Sequence, residues 1–239
     1  IMATTTISAN ATTRRPAEIT KASYAPLAVL ALAQIGTSSD SAAMNLATAS
    51  LVGTLGATLD DIQMATTLFS LIAGAFMIAG GLVGVTIGLH RALAMGLSLA
   101  VAGEMVAALS PNIFAFTWGG RVIMGLGACL ITPSVLGLVA ALYQGRQRAI
   151  AFGTIAGAAA LSTLSPLALG IVMDSSGFRL TFAIMAIYFV LVLCCTRLIP
   201  RTPLSGNHSH FDVAGTIVAA LGMGLALFGV AHLSDWGIV

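Results

Sequence analysis

The stretch RVIMGLGACLITPSVLGLVAALY, residues 121–143, decides the fold class of this protein. A single arginine is followed by a long run of uncharged and mostly apolar residues. A helix needs roughly 20 such residues to cross about 30 Å of hydrocarbon. The stretch therefore predicts a membrane-spanning helix with a cation near one end.

The composition of the whole chain agrees with that prediction. Of the 239 residues, 58% are hydrophobic and only 8% are charged, whereas a soluble domain has about 25% charged residues. The mean hydropathy is +1.00. Lipid offers the backbone no hydrogen-bonding partner, so helices must satisfy every peptide group within themselves. We therefore predict an all-α integral membrane protein.

Seven apolar segments predict seven transmembrane helices, six in one bundle and a seventh after a short connection. We divide the chain into a cytoplasmic tail at residues 1–24, a six-helix bundle at 25–199, a loop at 200–211 and the seventh helix at 212–233. The predicted spans are 25–51, 63–85, 92–110, 113–142, 149–173, 180–199 and 212–233.

The basic residues predict the orientation, since cytoplasmic loops carry an excess of Lys and Arg. Those in the tail and in the second, fourth and sixth connections fall on one side: Arg14, Arg15, Lys21, Arg91, Arg146, Arg148, Arg197 and Arg201. The opposite side carries only Arg179. The pattern predicts a multi-pass protein of the bacterial inner membrane with a cytoplasmic N-terminus. That orientation, and the lack of a lysine in the last span, argue against a seven-helix receptor or a retinal protein.

Three ionisable residues, Asp40, Glu104 and Arg121, lie well inside predicted spans. Each costs about 2.5–3.5 kcal/mol when unpaired at a helix centre. At 1.5 Å per residue all three fall in a similar layer of the membrane, so an ion pair between Asp40 and Arg121 is geometrically feasible. They form either a static pair that holds the bundle together or a functional site.

The first predicted helix also carries a stripe of polar side chains, and Asp40 lies at its edge. Spacings of three and four residues place the stripe on one helix face. Its members are Gln34, Thr37, Ser38, Ser41, Asn45 and Thr48. The stripe fits a helix that lines a polar cavity, to which we assign Gln34, Ser38, Ser41 and Asn45. Hydrogen bonds between helices are the alternative, because Ser and Thr often form them in membranes.

Four stretches together resemble the N-terminal half of a major facilitator superfamily transporter of the 14-helix drug:proton antiporter branch. SSDSAAMNLATASL (38–51) resembles the helix-1 motif, and GGLVGVTIGLHRAL (80–93) resembles the signature of the loop between helices 2 and 3. Residues 121–143 resemble the helix-4 signature. GTIAGAAALSTLSPLALGIVMDSSGFRLTF (153–182) resembles the antiporter motif of helix 5.

The resemblance implies gating and motif residues in each of these stretches. They are Gly84, Val85, Gly88, Arg91, Gly125, Pro133, Gly153, Gly157, Pro166 and Gly170. We expect Pro133 and Pro166 to bend their helices, and glycines four apart to allow close helix contacts. Val85 departs from the family, which has an aspartate there that locks the two transporter halves together. The lock is therefore expected to be weakened, absent or built differently.

The resemblance also implies proton-coupled export of amphipathic or cationic compounds by alternating access. Asp40 would be the coupling carboxylate, with its protonation modulated by Arg121. Glu104 is not a usual family feature, and it is either an additional proton or cation site or a residue at a protein contact. A nutrient or metabolite symporter on the same fold, and a membrane scaffold that does not transport, remain alternatives.

Seven spans do not make a complete transporter of this family, which has two six-helix halves around a cavity. We therefore expect the C-terminal half of the same transporter to be the main partner, beside substrate, protons and lipid. The seventh helix either opens that second half or is the extra helix of the 14-helix branch, which we favour. We predict no enzyme activity, cofactor, metal site or nucleic-acid binding.

Overall fold

We analysed a computed structural model of the chain, which describes residues 24–200 and seven separate residues between 215 and 229. Within 24–200 every regular element is helical. The α-helices are α1 (Tyr24–Leu46), α2 (Thr48–Leu55), α3 (Leu59–Ala75), α4 (Met77–Ile87), α5 (Leu89–Leu109), α6 (Val122–Leu142), α7 (Gly145–Leu161) and α8 (Ser165–Cys195). The all-α membrane fold predicted from the sequence is confirmed.

The α1 and α2 helices form the first predicted span, which continues across the single break at Ala47. Gly56 ends α2 in the left-handed conformation (φ 63°), as glycine commonly does after a helix. Thr58 then starts α3 with a capping box, in which its hydroxyl accepts from the Asp61 backbone N–H while the Asp61 carboxylate accepts from the Thr58 N–H. This turn connects the first two spans.

The α3 and α4 helices form the second span, which bends by 46° at Phe76. Gly88 ends it with φ 99°, a conformation that favours glycine. Gly88 is therefore a turn residue, and does not extend the helical stripe of Gly80 and Gly84 as its spacing had suggested. α5 follows directly and forms the third span.

The fourth span starts with a π-helical segment, Ala115–Arg121, and continues as α6. Helix α6 runs without interruption through Pro133, so the structure shows no break at the first of the two prolines. Proline removes the donor to the carbonyl four residues earlier, here that of Cys129. Gly80 packs directly against this carbonyl oxygen, where an added Cβ would overlap it.

The fifth and sixth spans are two arms joined at Gly177. Pro166 lies at the start of α8, directly after a 3₁₀ turn (Ser162–Leu164), so the second proline does mark a break. Gly177 inside α8 has φ 75° and ψ −178°. Thr181 Oγ1 then lies 3.7 Å from Met173 Sδ, eight residues earlier. A straight helix rises about 12 Å over that distance, so the chain folds back at Gly177.

Three helical segments are long and apolar enough to cross a membrane: Leu89–Leu109, Ala115–Leu142 and Gly145–Leu198, the last containing the turn at Gly177. The bent pair α3–α4 passes as a fourth. α1 is also long enough, but its polar face lowers its hydropathy. The predicted tail, the 200–211 loop and all but a few residues of the predicted seventh helix lie outside the described residues.

Candidate functional site

Asp40 of α1 and Arg121 at the end of the π-helix form a buried ion pair. Arg121 Nη1 donates to Asp40 Oδ1 at 2.8 Å, and Nη2 donates to Oδ2 at 2.6 Å. The Asp40 side chain is 0% exposed and the Arg121 side chain is 1% exposed. Both carboxylate oxygens accept from the planar guanidinium, which is the strong bidentate geometry. The structure thus joins two residues that the depth argument had placed in one layer.

Aromatic rings enclose the guanidinium on two sides. Arg121 Cζ lies 4.8 Å from the ring centroid of Phe69 and 5.8 Å from that of Phe182. The faces of aromatic rings attract cations, most strongly when water is excluded. These rings come from α3 and α8, so the pair is held by four different segments of the bundle. Phe69 had not been predicted as a site residue, and Phe182 had been identified only as part of the helix-5 motif.

The π-helical segment that carries Arg121 is a further local feature of the site. π-helical turns are rare and are often found at functional sites. Arg121 is the last residue of this segment, and α6 begins at the next residue. The direction of the Arg121 side chain toward Asp40 therefore depends on a non-standard turn.

Glu104 of α5 is the third ionisable residue of this cluster, which we call the charge cluster (Asp40, Glu104 and Arg121). Its side chain is 0% exposed, and it interacts electrostatically with both Asp40 and Arg121. Neither Oε1 nor Oε2 accepts a hydrogen bond from a described residue, and the side chain lies within hydrogen-bonding reach of Asp40. The structure thus brings together all three residues that the sequence predicted for proton coupling, while their role stays a prediction.

The predicted cavity residues lie on a more exposed face of α1 than the buried Asp40. Gln34 and Ser38 are half-buried, whereas Ser41 and Asn45 are exposed. The hydroxyls of Thr37, Ser41 and Thr48 donate to carbonyl oxygens of the first span itself, for example from Thr37 to the Gln34 carbonyl at 3.0 Å. No hydrogen bond from these three hydroxyls to a described residue of another span is present, so they do not join the first span to its described neighbours. Its cavity-lining role stays a prediction.

The residues of the loop 2–3 signature have separate positions. Gly84 is buried, and an added Cβ there would lie 3.1 Å from Leu89 Cδ2. Val85 is 51% exposed and Arg91 is also exposed, so both are available to groups outside the described bundle. His90 Nε2 lies 3.0 Å from the Thr196 carbonyl oxygen, which ties this signature to the end of the sixth span.

The glycines of the other motifs divide into two groups. Gly125 packs against α3, where an added Cβ would lie 3.2 Å from Ile72. Gly153, Gly157 and Gly170 have no atom within 4 Å of such a Cβ. The close contacts predicted at Gly153 and Gly157 are therefore not made within the described bundle, because these glycines lie on an open face.

A close helix contact beside the charge cluster was not predicted from the sequence. Gly96 and Gly103 of α5 face Gly127 and Gly120 of the fourth span, respectively. A Cβ on Gly103 would lie 2.7 Å from the Met124 nitrogen and 2.9 Å from the Gly120 carbonyl oxygen. The signal was the matching seven-residue spacing of glycines in both helices, which lets two backbones approach beside Glu104 and Arg121.

Metal-binding clusters of three or more His, Cys, Asp or Glu side chains are absent from the part of the chain that the structure describes. The two histidines of the predicted 200–211 loop, His208 and His210, lie outside it. The arrangement that the described residues do offer is a buried cluster of two carboxyl groups and one guanidinium. Groups of this kind can pair their charges and can exchange protons.

Comparisons with known proteins connect this architecture to transporters. The methylenomycin A resistance protein of Bacillus subtilis is 29% identical over 201 residues, which cover 83% of this chain and 42% of that protein. The riboflavin transporter RibZ of Clostridioides difficile is 22% identical and is covered to 40%. The lincomycin resistance protein LmrB of Listeria monocytogenes is 23% identical and is covered to 42%. The chain thus spans about two fifths of the length of these relatives.

Solved structures share the fold. The peptide transporter POT in complex with sulfate superposes with a TM-score of 0.69 at 19% identity, covering 89% of this chain and 46% of that one. A POT family transporter in complex with 5-aminolevulinic acid gives a TM-score of 0.59 at 16% identity, with 89% and 47% covered. The family model of the Major Facilitator Superfamily matches residues 30–239. The chain belongs to the major facilitator superfamily.

Proposed function

We propose that this chain forms the N-terminal half of a proton-coupled exporter of small amphipathic or cationic compounds. The observation that carries the proposal is the buried bidentate pair between Asp40 and Arg121. An ionised carboxylate is costly in a membrane interior unless it is paired. Loss of the arginine contact favours protonation of Asp40, whereas its return favours proton release. A carboxylate with these two states couples proton movement to a conformational change.

Two relatives support export over uptake, because their names report resistance to methylenomycin A and to lincomycin. The helix-5 motif, which resembles that of antiporters, points the same way. A symporter of a metabolite is the second candidate, and the riboflavin transporter relative favours it. The exporter and the symporter would use the same charge cluster. They differ in the direction in which the substrate moves relative to the proton.

The open faces of the bundle support a role for the C-terminal half as partner. Gly153, Gly157 and Gly170 have free space at their Cα atoms, and large apolar side chains such as Leu167 and Ile171 are exposed beside them. We propose that this glycine-lined face packs against the C-terminal half of the transporter. Val85 and Arg91 would lie at the cytoplasmic gate between the two halves. Gln34, Ser38, Ser41 and Asn45 would then line the central cavity.

The proposal is tested by substrate-induced proton release from the purified full-length transporter and by transport into inside-out vesicles. Asp40→Asn preserves side-chain volume, and we expect it to abolish proton release while substrate binding persists. Asp174→Asn is the matched control, since Asp174 is an exposed carboxylate outside the charge cluster. Undiminished proton release from Asp40→Asn would contradict the proposal, and proton-driven movement out of inside-out vesicles would favour the symporter.

A further inference from the structure

The charge cluster contains one more acid than its arginine can compensate. Asp40, Glu104 and Arg121 are each at most 1% exposed. With both carboxyl groups ionised the cluster carries a net negative charge, because Arg121 keeps its proton in proteins. An uncompensated charge away from water is strongly disfavoured, and the group changes its protonation state instead. One of the two acids must therefore hold a proton.

The hydrogen bonds identify which acid that is. Both oxygens of Asp40 accept from Arg121, at 2.8 and 2.6 Å, and this arrangement requires the ionised form. The oxygens of Glu104 accept no hydrogen bond from any residue in the described part of the chain. A buried carboxylate with no donor is unfavourable, whereas a neutral carboxylic acid is tolerated much better.

The surroundings of Glu104 contain no other charge that compensates it. The ionisable groups on the elements packed against α5, and on α5 itself, are Arg121, Cys129, Asp174, Arg179, Tyr188, Cys194, Cys195, His90 and Arg91. Among described residues only Asp40 and Arg121 interact with the Glu104 carboxyl group. Arg179 instead donates to the carbonyl oxygens of Ala108 and Ser110 at the end of α5.

Close helix packing lies next to Glu104, whose own side chain has no exposed surface among the described residues. Gly103 brings the α5 backbone against Gly120 and Met124, so the helices touch at the residue before Glu104. Any residue with a Cβ at position 103 would push α5 away from the fourth span. The acid is therefore buried beside the ion pair and interacts with both of its members.

We propose that Glu104 carries a proton while Arg121 bridges Asp40, and that it is the reserve counter-ion that ionises to pair with Arg121 when Asp40 is neutralised. In that exchange an O–H bond forms on Asp40 with an incoming proton, the Glu104 O–H bond breaks and its proton leaves the cluster, and the negative charge passes from Asp40 to Glu104. The net charge of the cluster is unchanged. This inference rests on the proposed function for its role in transport, but its protonation claim stands on the cluster alone.

Infrared spectroscopy of the purified full-length transporter at neutral pH tests the claim directly. The wild type should show the carbonyl stretch of a protonated carboxylic acid that shifts with ¹³C-labelled glutamate and is lost in Glu104→Gln. The same band should also be lost in Asp40→Asn, because Glu104 then ionises to pair with Arg121. A band absent from the wild type, or one retained in Asp40→Asn, would overturn the proposal.

The double variant Asp40→Asn/Glu104→Gln gives a second measurement. Each single variant leaves one acid to compensate Arg121 and should unfold close to the wild-type temperature. The double variant leaves the buried arginine without a counter-ion, so its loss of thermal stability should far exceed the sum of the two single losses. Strictly additive losses would refute the reserve role. A transporter that shows these results without proton-driven export would refute only the proposed function.

Discussion

Replacement of Arg121 by lysine separates the geometry of the ion pair from its charge. Lysine keeps the positive charge but lacks the planar fork that serves both Asp40 oxygens. One of the two bonds, at 2.8 and 2.6 Å, is therefore lost. A hydrogen bond to a charged group contributes about 1.5–3 kcal/mol. We expect Arg121→Lys to lower the free energy of unfolding by about that amount, or roughly 10- to 150-fold in the equilibrium constant.

The assay is reversible unfolding in mixed micelles, combined with substrate-induced proton release from the full-length transporter. Arg179→Lys is the matched control, because Arg179 also donates from both Nη atoms, to the Ala108 and Ser110 carbonyl oxygens, and lies 5.2 Å from the centroid of the Phe178 ring. The control should lose stability but keep normal proton release. Wild-type stability and proton release in Arg121→Lys would refute the reasoning from bidentate geometry.

Three further predictions follow from other parts of the structure. Gly80→Ala should destabilise the protein by about 1–3 kcal/mol or more through overpacking. Gly81→Ala should have little effect, because its added Cβ would meet a side-chain carbon at 3.5 Å. Equal unfolding temperatures of the two variants would contradict this prediction. Hydrogen bonds from the N-cap Thr58 lower the pKa of Asp61. The stabilising contribution of Asp61 is therefore present above the ordinary carboxyl pKa and is lost as the pH falls through the lowered value. If Asp61→Asn has the same dependence of unfolding on pH in the acid range as the wild type, this prediction is disproved. Cysteine labels applied from outside the cell should react near Asp174 and not near Arg146, and the reverse pattern would overturn the predicted orientation.

The membrane fold and the ion pair were predictable from the sequence because both follow from one-dimensional quantities. Apolar length predicted the spans, and a constant rise per residue placed Asp40 and Arg121 at one depth. Bonding between them was then the expected way to bury two charges in lipid. Equal depth made the pair feasible, and the packing of the two spans then brought the side chains together.

The remaining features depend on how helices pack, which residue spacing alone does not determine. The rings of Phe69 and Phe182 reach Arg121 from two other segments, and no local pattern distinguishes them from other apolar residues. Glycines four apart predicted a contact at Gly153 and Gly157 that the described bundle does not make. An unpredicted close contact uses glycines seven apart on α5 and the fourth span, where both helices present small residues at the same level.

The closed ion pair also constrains how this half can exchange a proton. Asp40 is 0% exposed, while the next residue, Ser41, is exposed on the open face of α1. Successive side chains on a helix differ in direction by about 100°, so neither a proton nor a substrate reaches Asp40 from that face without movement of α1 or withdrawal of Arg121. The π-helical segment Ala115–Arg121 directs the guanidinium toward Asp40, and its conversion to an α-helical turn would redirect it. In the proposed mechanism we therefore expect proton exchange to follow a helix movement at this segment, because the closed pair has almost no exposed surface.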